Sequence, residues 1–252
     1  MERDLEQIKK RFSELAERAY GSNMFTFTPF LGLQEQSVFH GMLRSLPPVG
    51  VTLFGGVEGC ERKMVRFGDA EALGYEEPFP IRAVRIAPRS AKFAEDLAHR
   101  DLLGALMSLG IERDTLGDII LREKEAYVFA AAHIAPFLEE NLQEVRRTSV
   151  HAAIAKAVPE GELFRLQGKT VQVTSVRADA VAAHVWNLSR GESQNCFRAG
   201  RAFINGALTE SPAASLKEGD ILSIRGLGRL VYRGEGGMTK KGKHNVHVDV
   251  YV

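Results

Sequence analysis

Between Ile81 and Ala155 the spacing of apolar residues switches repeatedly between two periods, and this constrains the fold more than any other feature of the chain. Ile81–Ala87 reads as a strand. Ala91–Leu109 carries Phe93, Leu97, Leu102, Leu106 and Leu109 along one side, the spacing of a buried helix face, and Gly110 stops it as a C-cap. Asp118–Leu121 and Ala126–Ala131 read as two strands around Arg122-Glu-Lys-Glu125. A short helix begins near Pro136, a residue tolerated in a first turn, and Thr148–Ala155 is extended again.

That order, β-α-β-β-α-β, is the split βαβ or ferredoxin-like plan. Small sheets of this plan often bind RNA and serve many other ends, so the plan alone is only a hint to function. A Gly/Glu/Pro-rich stretch, Gly74–Pro80, precedes it, and Pro159-Glu-Gly161 and Gly168 follow it. The 252 residues therefore divide into an N-terminal small α/β domain (1–75), a central ferredoxin-like domain (76–166) and a C-terminal module (170–252), an α+β chain overall.

In the N-terminal part, Leu5, Ile8, Phe12, Leu15 and Ala19 form one helical stripe over residues 2–19, with Gly21 as its C-cap. The stripe suits a helix docked on its own domain, and a partner-binding helix is the alternative. Pro47-Pro48 breaks the next helical stretch. Val49–Phe54 and Lys63–Phe67 read as strands, and Phe54-Gly-Gly-Val-Glu-Gly59 between them as a hairpin turn. No helix pattern and no Gly-Lys-Ser/Thr follows those glycines, which disfavours a phosphate loop.

The first residues, MERDLEQIKK, are charged where a signal peptide needs an apolar core, and no apolar run approaches the ~20 residues that span a bilayer. Cys60 and Cys196 stand far apart with no CxxC partner, so two buried thiols in a reducing cytoplasm are expected. The formal net charge is +1, but it is unevenly divided. From Thr174 onward eleven basic residues face seven acidic ones, a surplus of four; the first 173 residues carry 22 against 25, a deficit of three. A basic module on a weakly acidic body suggests a polyanionic partner for that module.

The C-terminal segment narrows the choice. Lys169–Val176 reads as a strand and Asp179–Leu188 as a helix with Val181, Val185 and Leu188 inward. Ser189-Arg-Gly-Glu192 is a capping box, so a second helix starts there. On it Arg190, Gln194, Arg198 and Arg201 follow at intervals of four, four and three and share a face without an acid, while Ser193, Cys196, Phe197 and Gly200 can pack. Guanidinium forks match phosphate oxygens, and an amide adds a sugar or base contact. Phe203-Ile-Asn-Gly206 enters an Asn-Gly hairpin turn. Leu216–Asp220 is another turn, Ile221–Ile224 and Val246–Val252 are strands, and Arg225-Gly-Leu-Gly-Arg229 lies between them.

The run Ser189-Arg-x-Glu…Arg198-Ala-Gly-Arg-Ala-Phe-Ile-Asn-Gly206…Leu216-Lys-Glu-Gly-Asp220-Ile-Leu-Ser-Ile224 resembles the S4 RNA-binding domain over about 70 residues. The resemblance implies that Arg177, Arg190, Gln194, Arg198, Arg201 and Asn205 contact RNA. Ala178, Gly191 and Ser193 depart from the usual residues of that pattern. His99-Arg-Asp-Leu-Leu-Gly-Ala-Leu106…Leu109-Gly-Ile111…Arg113…Gly117-Asp-Ile119 is similar to the central domain of the YlmH family. So are the three-part layout, Arg225-Gly-Leu-Gly-Arg229 and the loop Thr239-Lys-Lys-Gly-Lys243. This second resemblance implies a cytoplasmic bacterial RNA-binding protein on the large ribosomal subunit with stranded peptidyl-tRNA, assisting C-terminal tailing in ribosome quality control. Partners are then rRNA and tRNA, with further quality-control or division proteins. Arg225, Arg229, Lys240, Lys241 and Lys243 join the candidate RNA contacts, and Arg100 and Arg113 are secondary candidates. Read from the residues alone, the lysines fit a phosphate-binding loop or a solvated hairpin tip equally, and His99 and Arg100, at the middle of their helix, fit a structural role as well as an RNA contact.

Nothing points to catalysis. Arg177-Ala-Asp179 mimics part of a pseudouridine-synthase site but lies at the mouth of the first S4 helix, and no glycine-rich strand-to-helix turn suggests a methyltransferase. His40, His99, His133, His151 and His184 lack metal-ligand spacing. The expectation is a monomeric, non-enzymatic RNA-binding protein without cofactor, metal or membrane contact. An RNA-modifying enzyme with an S4 targeting module and a cell-division adaptor are the alternatives.

Overall fold

The computed structural model describes residues 2–90, 95, 97–158 and 164–251. The chain forms two compact units, residues 1–163 and 164–252.

The first unit begins with α1 (Glu2–Ser22), which turns Ile8, Phe12, Leu15 and Ala19 into a core as the stripe predicts. The helix runs past Gly21, and Asn23, at φ 50, turns the chain out instead. Asparagine tolerates this left-handed conformation, so it can end a helix in place of glycine. Then come β1 (Thr26–Phe27), α2 (Leu33–Met42), β2 (Val51–Phe54) and β3 (Met64–Phe67), the strands forming an antiparallel sheet in the order β1-β3-β2. Phe12, Phe39 and Phe67 meet edge to face in the core, with centroids 5.3 and 5.8 Å apart.

After the four-residue α3 (Ala70–Leu73), the stretch expected to be a boundary folds back onto the sheet. Phe79 meets Phe27 edge to face and Phe54 at a tilt, and the Arg66 guanidinium lies over the Phe25 and Phe79 rings at 4.9 and 5.3 Å. Arg66 also donates to the Glu77 carbonyl at 2.8 Å.

The second sheet of this unit is built from β4 (Ile81–Pro88), α4 (His99–Ser108), β5 (Leu116–Arg122), β6 (Glu125–Ala131), α5 (Ala135–Asn141), β7 (Glu144–Val145) and β8 (Thr148–Ile154). The strand order is β5-β6-β4-β8-β7, every neighbour antiparallel. Leu102 and Leu106 of α4 and Leu138 of α5 pack against Val84, Ile86, Val128 and Val150. Residues 91–94 and 96, including the expected contact Phe93, lie outside the described residues. Residues 97 and 98 are not helical, so His99 and Arg100 open α4 rather than occupy its middle. The physical cause is the Asp101 carboxylate, which accepts the Ala98 N–H at 2.9 Å and caps the helix there. Gly110 ends α4 at φ +76, as expected.

The two sheets are locked together. Gly56, at φ +112 in the β2–β3 turn, lies against the Phe129 ring: a Cβ there would fall 2.2 Å from the ring. The glycines of this turn thus serve close packing in a hairpin. Asp118 accepts the backbone N–H groups of Glu61 and Arg62 at 2.7 and 2.9 Å. Arg62 in turn donates to the carbonyls of Leu116 and Phe30, both at 2.9 Å.

The second unit comprises β9 (Leu166–Val173), α6 (Ala178–Val185), α7 (Arg190–Arg198), β10 (Ala202–Ile204), β11 (Ala207–Leu208), β12 (Ile221–Ile224), β13 (Gly228–Met238) and β14 (His244–Tyr251). Its six strands are ordered β11-β10-β12-β13-β14-β9. Val181, Val185, Phe197, Leu222, Leu230, Tyr232, Val246 and Val248 form the core. α6 ends at Val185 rather than Leu188 because Asn187, at φ 52, turns the chain out. Asn205 and Gly206 take φ 51 and 81 between the paired Ile204 and Ala207, the two-residue turn that Asn-Gly favours. β13 is an unforeseen strand: Gly234, Gly236 and Gly237 hide its alternation, and its register with β14 shifts across that stretch. Cys60 and Cys196 are both buried free thiols. No helix among the described residues is long and apolar enough to cross a membrane.

Candidate nucleic-acid interface

α7 is closed at both ends by local chemistry. Ser189 Oγ accepts the Glu192 N–H at 3.2 Å and Glu192 Oε2 accepts the Ser189 N–H at 2.8 Å, the reciprocal capping box expected. These bonds favour the ionised carboxylate and hold Glu192 below the ordinary glutamate pKa. At the other end Gly200 takes φ +64; its N–H donates to the Phe197 carbonyl at 3.0 Å and that of Arg201 to the Cys196 carbonyl at 2.9 Å. This is the paired bonding of a Schellman motif.

That closure corrects the four-residue stripe. Arg190, Gln194 and Arg198 lie along α7, but Arg201 lies beyond its end, half-buried, with Nη2 3.2 Å from Cys196 Sγ. Arg190 and Arg198 are exposed and make no ion pair with the described residues. They stand two turns apart on a rigid helix, free to meet two anions.

Arg177 is placed differently. It precedes α6 and binds Asp179 with two parallel bonds, Nε to Oδ1 at 3.0 Å and Nη2 to Oδ2 at 2.8 Å. Gln194 Nε2 reaches the same Oδ2 at 3.3 Å. The face that the sequence reads as free of acid therefore carries one, supplied by the preceding helix. Asp179 is only 4% exposed. Asn205 is a turn residue: its Oδ1 accepts the Ile221 N–H at 2.9 Å and its Nδ2 donates to Asp220 at 2.8 Å.

Arg229 belongs to another surface. Its strand neighbours Leu230 and Tyr232 point into the core, so by alternation Arg229 points to the opposite face of the sheet. There its guanidinium lies over Tyr251 at 3.9 Å and Phe164 at 4.7 Å. Arg225 approaches Phe203, 6.0 Å from its centroid, and its N–H donates to the Arg201 carbonyl. Thr239–Lys243 is a closed hairpin tip: the Thr239 N–H donates to the Lys243 carbonyl at 2.8 Å and the Lys243 N–H to Thr239 Oγ1 at 3.0 Å. Lys240 and Lys241 project from it into solvent.

In the first unit Arg100 is exposed at the start of α4. Arg113 is committed to the Leu116 carbonyl at 2.7 Å, and burial together with the nearby Arg62 charge lowers its pKa to about 10. Burial and the Arg113 charge likewise push His99 down. Sequence reasoning missed Asp179 as part of the site. It also missed Arg82 and Arg147, exposed cations of the central sheet region without ion pairs among the described residues. The Arg146-Arg147 doublet was the legible signal for Arg147, and no comparable signal marked Arg82.

Residues 75–157, which span β4 to β8, match the family model described as "Putative RNA-binding domain in YlmH". The chain is 31% identical over 226 residues to the ribosome-associated protein quality control protein P2 of Bacillus subtilis (strain 168), an alignment covering 87% of this chain and 84% of that one. The chain belongs to the YlmH family. Among solved structures, the cell division protein ylmH from Streptococcus pneumoniae is similar at 22% identity with a TM-score of 0.47, over 60% of this chain and 90% of that one. The YlmH family model thus falls on the central sheet, whereas the free arginines of α7 fall in the other unit.

Proposed function

We propose that this YlmH-family chain is a non-enzymatic, cytoplasmic RNA-binding protein that acts on the ribosome as a monomer. In this reading residues 170–252 are an S4-type module that docks on structured rRNA or tRNA, residues 76–166 are a ferredoxin-like second RNA contact, and residues 1–75 brace the latter. The observation that carries it is the pair Arg190 and Arg198, exposed, unpaired among the described residues and two turns apart on a doubly capped helix. The strand order β5-β6-β4-β8 supports the ferredoxin-like reading, and the name of the B. subtilis relative supports the ribosome as the place of action. By family resemblance the target is the large subunit with stranded peptidyl-tRNA, and the role is in C-terminal tailing.

The test is a salt titration of RNA binding. Each phosphate met by a free cation contributes about 0.7–0.9 to the slope of log affinity against log salt. The R190A/R198A double variant should therefore bind a folded tRNA transcript and a large-subunit rRNA fragment more weakly, with slopes flatter by about 1.4–1.8. Unchanged affinity and slope on both RNAs refute this assignment of the interface.

A further inference from the structure

The arginine face contains one group that an RNA-binding surface should avoid, a carboxylate. Asp179 sits in the first turn of α6 and is held from several sides. Its N–H donates to the Pro212 carbonyl at 3.1 Å, and its own carbonyl accepts Ser193 Oγ at 2.7 Å. Its side chain accepts both Arg177 bonds and the Gln194 amide. A carboxylate this buried persists because it is paired. The result is a cation whose charge is already cancelled and an amide whose orientation is already set, beside two arginines whose charges are free.

We propose that Asp179 is a specificity-determining positioning residue of the RNA face: it removes Arg177 from the charge that meets phosphate and holds Arg177 and Gln194 as an oriented, neutral hydrogen-bonding pair. This rests on the reading of the α7 face as an RNA contact. Free charges bind any polyanion, because counterion release is blind to sequence and shape. A neutral pair displaces no counterion and gains affinity only where an acceptor, such as a 2′-hydroxyl or a base edge, stands in the right place. The remaining donors of Arg177 and Gln194 can reach such an acceptor. Asp179 thus converts part of a general RNA-binding surface into one that selects folded RNA.

The experiment uses the full chain, with a folded tRNA transcript and poly(U) as probes, each titrated with salt. In R177Q/D179N, which removes the pair without changing the net charge, the salt slope on both probes should stay within about 0.2 of wild type, while tRNA affinity falls on the order of five-fold. In D179N the freed Arg177 charge should steepen both slopes by about 0.7–0.9 and raise poly(U) affinity several-fold, so that the preference for tRNA shrinks. Emission of Trp186, the chain's single tryptophan, checks that both variants are folded, and the charge-conserving R177Q/D179N tests the idea independently of D179N. A purely structural Asp179 lowers stability and weakens both probes alike at constant slope. That pattern, or an R177Q/D179N slope flatter than wild type by about 0.7–0.9, overturns the proposal. If R190A/R198A itself leaves the slope unchanged, it is the α7 interface that fails.

Discussion

Asp118→Ala tests how the two sheets of the first unit are joined. The carboxylate accepts two backbone N–H groups, from Glu61 at 2.7 Å and Arg62 at 2.9 Å, across 57 and 56 residues of chain. Hydrogen bonds to a charged group contribute about 1.5–3 kcal/mol each. The site is half-buried, so the lower figure applies, and removing both bonds costs about 3 kcal/mol. The loss falls next to Cys60, which is 2% exposed. Where reclosing is faster than chemistry, thiol labelling follows the open population, and 3 kcal/mol raises it about a hundred-fold. The assay is alkylation of the native protein resolved by peptide mass. Cys60 is read directly, and Cys196, buried in the core of the second unit, is the internal comparison. A folded variant in which Cys60 labels within about three-fold of wild type would show that Asp118 does not hold this junction.

Two further perturbations follow from particular residues. Gly200→Ala, with φ +64 and no neighbour nearer than Leu208 at 3.9 Å, should cost about 1–2 kcal/mol from backbone conformation alone. Gly56→Ala adds a steric clash with the Phe129 ring to the same strain and should cost more, with urea midpoints read by Trp186 emission and by Cys60 labelling respectively. Burial, and then the Lys63 charge, hold His40 below the ordinary histidine value of 6.5. The unfolded state therefore takes up the proton first, and stability intact above that value is lost as pH falls through 6.5 and below. The urea midpoint for Cys60 protection should decline from pH 7.5 to 5.5, less steeply in His40→Gln; equal slopes would exclude His40 as a source.

Much of the fold was legible because its signals are local. The Ser189–Glu192 capping box, the Asn205-Gly206 turn, the Gly110 stop and the α1 stripe each fix φ and ψ within a few residues, and the structure contains all four. Errors arose where a local pattern was extended past its cause. The intervals in Arg190–Arg201 continue a helix that Gly200 has already ended, and the Leu97 side of α4 was extrapolated upstream of the Asp101 cap. β13 went unread because glycine carries no side chain to mark a period.

Sequence by itself determined most of the longer element types, the α+β character, the two buried thiols and the concentration of basic residues after Thr174. Only the tertiary structure decided which of those basic residues are free. Asp179 reaches Gln194 across 15 positions, Asp118 reaches Glu61 across 57, and sheet alternation turns Arg229 to the face opposite the helices, onto Tyr251 and Phe164. A residue's own neighbours in sequence set its backbone conformation. Its charge state and partners are set by whichever segments the core brings beside it, and that depends on the packing of the whole unit.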